Sequence, residues 1–126
     1  MKIIVCVLLV LWASCAEAQS LPPACAQYFS AAEACMRNFI DLLERTNPQS
    51  AEGMKQKLAT VESAKQELQR QVGRDGSLAV AQRCTDPKFV KGMSNALAGL
   101  MTPLMFQNAM NEECSDSYNR IQAPMQ

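Results

Sequence analysis

The sequence predicts an all-α protein, a small antiparallel bundle of four main helices and one short helix stapled by two disulfides. Three observations carry this. Apolar residues recur at i, i+3, i+4 and i+7 along several segments, and nowhere does the chain alternate as a half-buried strand would. Turn signals at Thr46-Asn47-Pro48, Gly73-Arg74-Asp75-Gly76 and Thr85-Asp86-Pro87 separate those segments. Four cysteines, an even number, remain once the first 18 residues are set aside as a targeting segment: Cys25, Cys35, Cys84 and Cys114.

The targeting segment comes first in the chain. Met1-Lys2 is a minimal basic start, and Ile3 to Ala13 is an unbroken apolar run. The run is too short for a bilayer, which needs about 20 apolar residues. It has the length of a signal-peptide core, and Ala16-Glu17-Ala18 supplies small residues for cleavage before Gln19. Residues 1–18 are therefore read as a signal peptide and residues 19–126 as a single exported domain, periplasmic or secreted. Cys15 offers a second reading, lipid anchoring, because an apolar run ending at Trp12-Ala13-Ser14-Cys15 is close to a bacterial lipoprotein signal, with Trp12 where leucine is usual.

The first helix is expected from Ala24 to Arg45, with Pro23 in its first turn, where a missing N–H costs nothing. Cys25, Tyr28, Phe29, Ala32, Cys35, Met36, Phe39, Ile40 and Leu43 mark its inner side. Pro48 ends it, since a residue before proline is pushed out of the α region. A second helix follows from about Gln49 to Val72. Its narrow stripe of Met54, Leu58, Val61, Leu68 and Val72 is interrupted by Lys65, beside which Ala64 is expected to serve the seam. Ser77 is expected to cap a short helical piece, Leu78 to Arg83, that ends at Cys84. Asp86 and Pro87 then open a third long helix. Its stripe includes Phe89, Val90, Met93, Leu97, Leu100, Met101, Leu104 and Met105. Pro103 predicts a break or kink near Met101-Thr102 and a last helix from Pro103 to about Ile121, carrying Phe106, Met110, Cys114 and Tyr118 at intervals of four. A short disordered tail is expected at about 122–126.

Helical rise constrains the disulfides. Cys25 and Cys35 stand ten residues apart on one helix, which places their Cα atoms about 15 Å apart. A disulfide requires less than about 7 Å. Each must therefore find a partner elsewhere. With helices alternating in direction, Cys84 returns to the level of Cys25 and Cys114 descends to the level of Cys35. The pairing predicted is Cys25–Cys84 and Cys35–Cys114; the crossed alternative needs diagonal links over about three turns, each roughly 5.4 Å.

Composition narrows the function classes. Lys plus Arg number 12, Asp plus Glu 12, and the formal net charge is zero. Phosphate binding needs a basic face, so nucleic acid is not expected as partner. The absence of histidine removes the commonest general base and metal ligand. Ser77 and Ser94 thus lack a histidine partner for nucleophilic work. Glu112, Glu113 and Asp116 read as a solvated face, since no loop pattern for calcium accompanies them. Met93, Met101, Met105 and Met110 read first as core filler, then as a plastic apolar groove, and least as a copper(I) site. No cofactor and no metal site are expected, and no membrane span in the exported chain.

The order Cys25-Ala26-Gln27-Tyr28-Phe29, Met54-Lys55-Gln56 with Leu58, and Ala81-Gln82-Arg83-Cys84 resembles a family of small exported proteobacterial proteins classed as a domain of unknown function. The resemblance covers roughly residues 20–95 and implies a helical fold in the envelope with no catalytic residues to carry over. A fainter similarity is to periplasmic acid-stress chaperones of the HdeA type, on the context Cys84-Thr85. It implies a holdase that loosens at low pH, from which the two further cysteines depart. The expectation is a non-enzymatic protein with a binding or structural role in the bacterial envelope, another protein being a candidate partner. The alternative is a holdase-type chaperone.

Overall fold

The computed structural model describes residues 20–122. The expected signal peptide, Cys15 and the expected tail beyond Gln122 lie outside the described residues. Five helices follow in order, with no strand among the described residues: α1 (Pro23–Thr46), α2 (Pro48–Asp75), α3 (Ser77–Cys84), α4 (Pro87–Phe106) and α5 (Glu112–Gln122).

Helix α1 is the post on which the others are hung, and it packs against all four. Its burial runs nearly all round, through Cys25, Tyr28, Phe29, Ala31, Ala32, Ala34, Cys35, Met36, Asn38, Ile40 and Leu42. Alanines at 31, 32 and 34 let neighbouring helices approach where a larger side chain would hold them off. By contrast α2, although longer, buries only Ala51 and Val72 fully. It turns tightly off α1 because Asn47 serves both ends: its N–H donates to the Leu43 carbonyl, and its side chain accepts from the Ser50 N–H.

Three apolar clusters stack along α1. The lowest joins Cys25, Val72, Val80 and Cys84. The middle one joins Tyr28, Ala31, Ala32, Leu97 and Ile121, with Phe89 edge-on to Tyr28 at 6.0 Å. The uppermost joins Cys35, Leu42, Leu104 and Cys114. The disulfides are Cys25–Cys84 and Cys35–Cys114, with Cα separations of 5.3 and 4.6 Å. Each lies inside an end cluster, and all four cysteines are buried. The pairing read from helical levels is the one observed.

Four expectations need correction. The break at Met101-Thr102 does not occur: α4 continues through Pro103 to Phe106, and the last helix begins at Glu112. Proline deprives the Gly99 carbonyl of its partner four residues on, but Gly99 is exposed, so water can serve that oxygen. The helix stops where Asn108 takes a left-handed conformation at φ 50°. There the Ala109 N–H reaches the Leu104 carbonyl and the Asn108 N–H reaches Met105, while Ala109 and Leu104 pack together. This is a Schellman closure with asparagine where glycine is usual. The interval-of-four series is accordingly divided: Phe106 closes α4, Met110 lies in the turn, and only Cys114 and Tyr118 belong to α5. Gln122, expected in the tail, is the last residue of α5. Finally, Ala64 is exposed and Lys65 itself occupies the seam, its ammonium donating to both oxygens of Glu33 on α1 at 3.1 and 3.3 Å.

Candidate functional site

Helices α2 and α4 both lie on α1, yet they do not pack on each other. Between them opens a cleft of about 500 Å³, within the range of about 300–1,000 Å³ found for small-molecule sites. Its floor is Ala32, Met36 and Phe39 of α1. Its α2 wall is Met54, Lys57, Thr60 and Val61. Its α4 wall is Met93, Ala96, Leu97, Gly99 and Leu100. The periodicity that makes each helix amphipathic puts these residues on facing sides, at intervals of three and four.

The cleft is apolar within and polar at its mouth. Met54, Val61, Met93 and Leu100 are half-buried, whereas Lys57, Thr60, Ala96 and Gly99 are exposed. The Thr60 hydroxyl donates to the Gln56 carbonyl at 3.1 Å, so it is turned onto its own helix. On the α4 side the lip is made of small residues, and a Cβ added at Gly99 would meet nothing within 4 Å. Lys57 is the one charged residue in the lining. Three unbranched thioether side chains, Met36, Met54 and Met93, give the cleft walls that can adjust to an occupant.

The four methionines singled out by sequence do not gather. Met93 lines the cleft, Met101 and Met110 pack against the upper disulfide cluster, and Met105 is 65% exposed. Met36 and Met54, which belong to the cleft, were assigned to apolar stripes without a further role. Met105 instead shares a second, shallower feature with Thr102 and Phe106, the latter 87% exposed at the end of α4.

The acidic group at α5 is solvated as expected: Glu112, Glu113 and Asp116 are exposed, and Glu113 pairs with Arg37 at 2.9 Å. Both glutamates stand in the first turn of α5, where the helix dipole favours negative charge. Ser77 and Ser94 are exposed. Among the described residues no group of three or more His, Cys, Asp or Glu side chains could hold a metal ion. Among them too, no helix is long and apolar enough to cross a membrane.

Sequence reasoning missed Asn38. It is buried, with its amide donating to the Ala109 carbonyl at 3.0 Å and its oxygen accepting from the Asn111 N–H at 2.8 Å. Asn111 in turn caps α5 by accepting from the Cys114 N–H at 2.9 Å. A polar residue between Arg37 and Phe39 on a helix otherwise buried nearly all round was the available signal.

Exposed ion pairs shift the titration of two groups. Glu67 accepts from Arg70 and Arg74, and these hydrogen bonds, Arg70 first, hold its carboxyl below the ordinary value. The hydrogen bond to Glu44 holds the Lys55 ammonium above its ordinary value. Neither group faces the cleft. No family model, curated protein or solved structure matches the chain.

Proposed function

We propose that this is a non-enzymatic binding protein of the cell envelope or the secreted space, which takes an apolar ligand into the cleft between α2 and α4. The observation that carries the reading is the cleft itself: apolar walls from three helices, methionines on each, and polar groups only at the mouth. Two disulfides in a helical chain, with no membrane span among the described residues, are consistent with an oxidising extracellular compartment. The N-terminal export signal supports the same location.

The test is fluorescence of N-phenyl-1-naphthylamine with the exported chain. Probe fluorescence should rise and saturate at one site per molecule. Gly99→Leu should weaken binding at least about ten-fold, a loss of about 1.4 kcal/mol. That substitution fills the cleft mouth from a position with open space and improves helix propensity, so the thermal midpoint should hold or rise. No saturable binding, or binding indifferent to Gly99→Leu, would overturn the reading.

The exposure of Phe106, Met105 and Leu78 favours a second reading, a holdase that takes hold of unfolded chains on its surface. If Phe106→Ser removes probe binding and suppression of client aggregation while Gly99→Leu leaves both intact, the second reading replaces the first.

A further inference from the structure

We infer that the occupant of the cleft is a single-chain fatty acid whose carboxylate is held by Lys57, an inference that rests on the cleft-binding reading above. The argument is one of charge and length. Among the described residues Lys57 has no carboxylate at ion-pair distance. This follows from the sequence around it. The positions three and four away on α2 are Gly53, Met54, Thr60 and Val61, none of which can answer an ammonium.

The opposite wall offers none either. Helix α4 contains no aspartate or glutamate, and its charged residues are Lys88 and Lys91. On the neighbouring segments Glu33 is engaged by Lys65, and Glu44 and Glu52 by Lys55, while Asp41 and Glu62 lie outside the cleft lining. The lining of an apolar cleft therefore carries one cation with no ion-pair partner, and no anion. Such a lining attracts an anion and repels an amine. The four-carbon stem of Lys57 can lie along the apolar wall while its ammonium stays at the rim, level with a headgroup in water.

The cleft also sets a length. Its lining runs from Ala32 to Phe39 on α1, from Met54 to Val61 on α2 and from Met93 to Leu100 on α4. Each is about two helical turns, roughly 10 Å at the helical rise. One short alkyl chain fits that span, so the expected occupant is of medium chain length.

The experiment is displacement of N-phenyl-1-naphthylamine by decanoate, decanol and decylammonium at neutral pH and low salt, below their micellar concentrations. Wild type, Lys57→Gln and Lys57→Glu are compared. Lys57 is exposed, so both variants should fold, which circular dichroism checks. Decanoate should displace the probe from wild type about two- to five-fold more effectively than decanol, the worth of an exposed ion pair. Decylammonium should be the weakest. Lys57→Gln should bring decanoate level with decanol, and Lys57→Glu should invert the order of the two charged ligands. If the probe binds and the three ligands rank alike in all three proteins, the fatty-acid inference is overturned and the cleft reading stands. Failure of the probe to bind wild type would instead remove the cleft reading and the inference with it.

Discussion

The two walls of the cleft are held to the same post by different means. Helix α2 is wet and ionic. It reaches α1 through Lys55–Glu44 and Lys65–Glu33, and braces itself and α3 through Arg70 and Arg74 on Glu67 and Arg83 on Asp75. Helix α4 has no ion pair among the described residues and buries only Leu97 and Leu104 completely. Its apolar side chains pack on α1 in the middle and upper clusters, and a disulfide stands beyond each end: Cys84 just before it, and Cys114 beyond the turn that follows it. Packing on one side and tethers at both ends leave its other side free of α2. That is how α4 can lie on α1, stand off from α2, and leave apolar side chains lining a cleft.

The comparison breaks most severely if the tethers are cut. Replacing Cys25 and Cys84 by serine, or Cys35 and Cys114 by serine, should each lower stability by about 4 kcal/mol through loop closure in the unfolded chain. The sequence separations are 59 and 79 residues. Because the dependence is logarithmic, the two losses should agree to within about 0.3 kcal/mol. Urea midpoints of the two double variants measure this. A large asymmetry would mean that one end of α4 is held by packing and not by its disulfide.

A smaller effect is expected at the upper end of α4, where one side chain guides the chain from α4 into α5. Asn38→Ala removes both the donor to Ala109 and the acceptor for Asn111. The turn would keep those two backbone groups partly buried and unanswered, at a cost of about 1–3 kcal/mol. The disulfide at Cys114 would still hold α5 on α1. Amide exchange should therefore quicken locally at Asn111 and Cys114 before the rest of the domain responds. Uniform acceleration across all five helices would contradict a local guiding role.

What was legible in the sequence follows from periodicity and rise. Repeats of three and four identified the helices, and helical rise excluded a bridge between Cys25 and Cys35 and matched levels for the two that form. The end of α4 was not legible by the same rules. Pro103 is a strong local signal, but a helix with an exposed carbonyl at Gly99 tolerates it, and Asn108 is a weak signal because asparagine adopts the left-handed region only where tertiary structure favours it. Lys65 was read as a gap in a stripe because a pattern of apolar residues does not report that Glu33 waits across the interface. The cleft was the least legible feature. Periodicity tells which face of α2 and of α4 turns inward; it does not tell whether the two faces meet. Met54 and Met93 carry the same apolar signal as Leu104, yet they line an opening and Leu104 is buried away from it.

The smallest expected effect concerns the ionic wall alone. Glu67 binds Arg70 and Arg74, which depress its carboxyl below the ordinary value. A group depressed on folding contributes stability above its unfolded value and loses that contribution as the pH falls through the lower, folded value. The contribution of Glu67 should therefore be complete at neutral pH, decline only after ordinary carboxylates have begun to protonate, and be absent in strong acid. Both arginines are well exposed, so the effect is slight and salt should weaken it. Glu67→Gln should lower the urea midpoint slightly at neutral pH and leave it unchanged in strong acid. Probe affinity at the cleft should not follow it, since Glu67 lies outside the lining. If Glu67→Gln altered the cleft as well, the ionic contacts along α2 would be setting the distance between the two walls, and the packing and tethers of α4 would not be enough to set it.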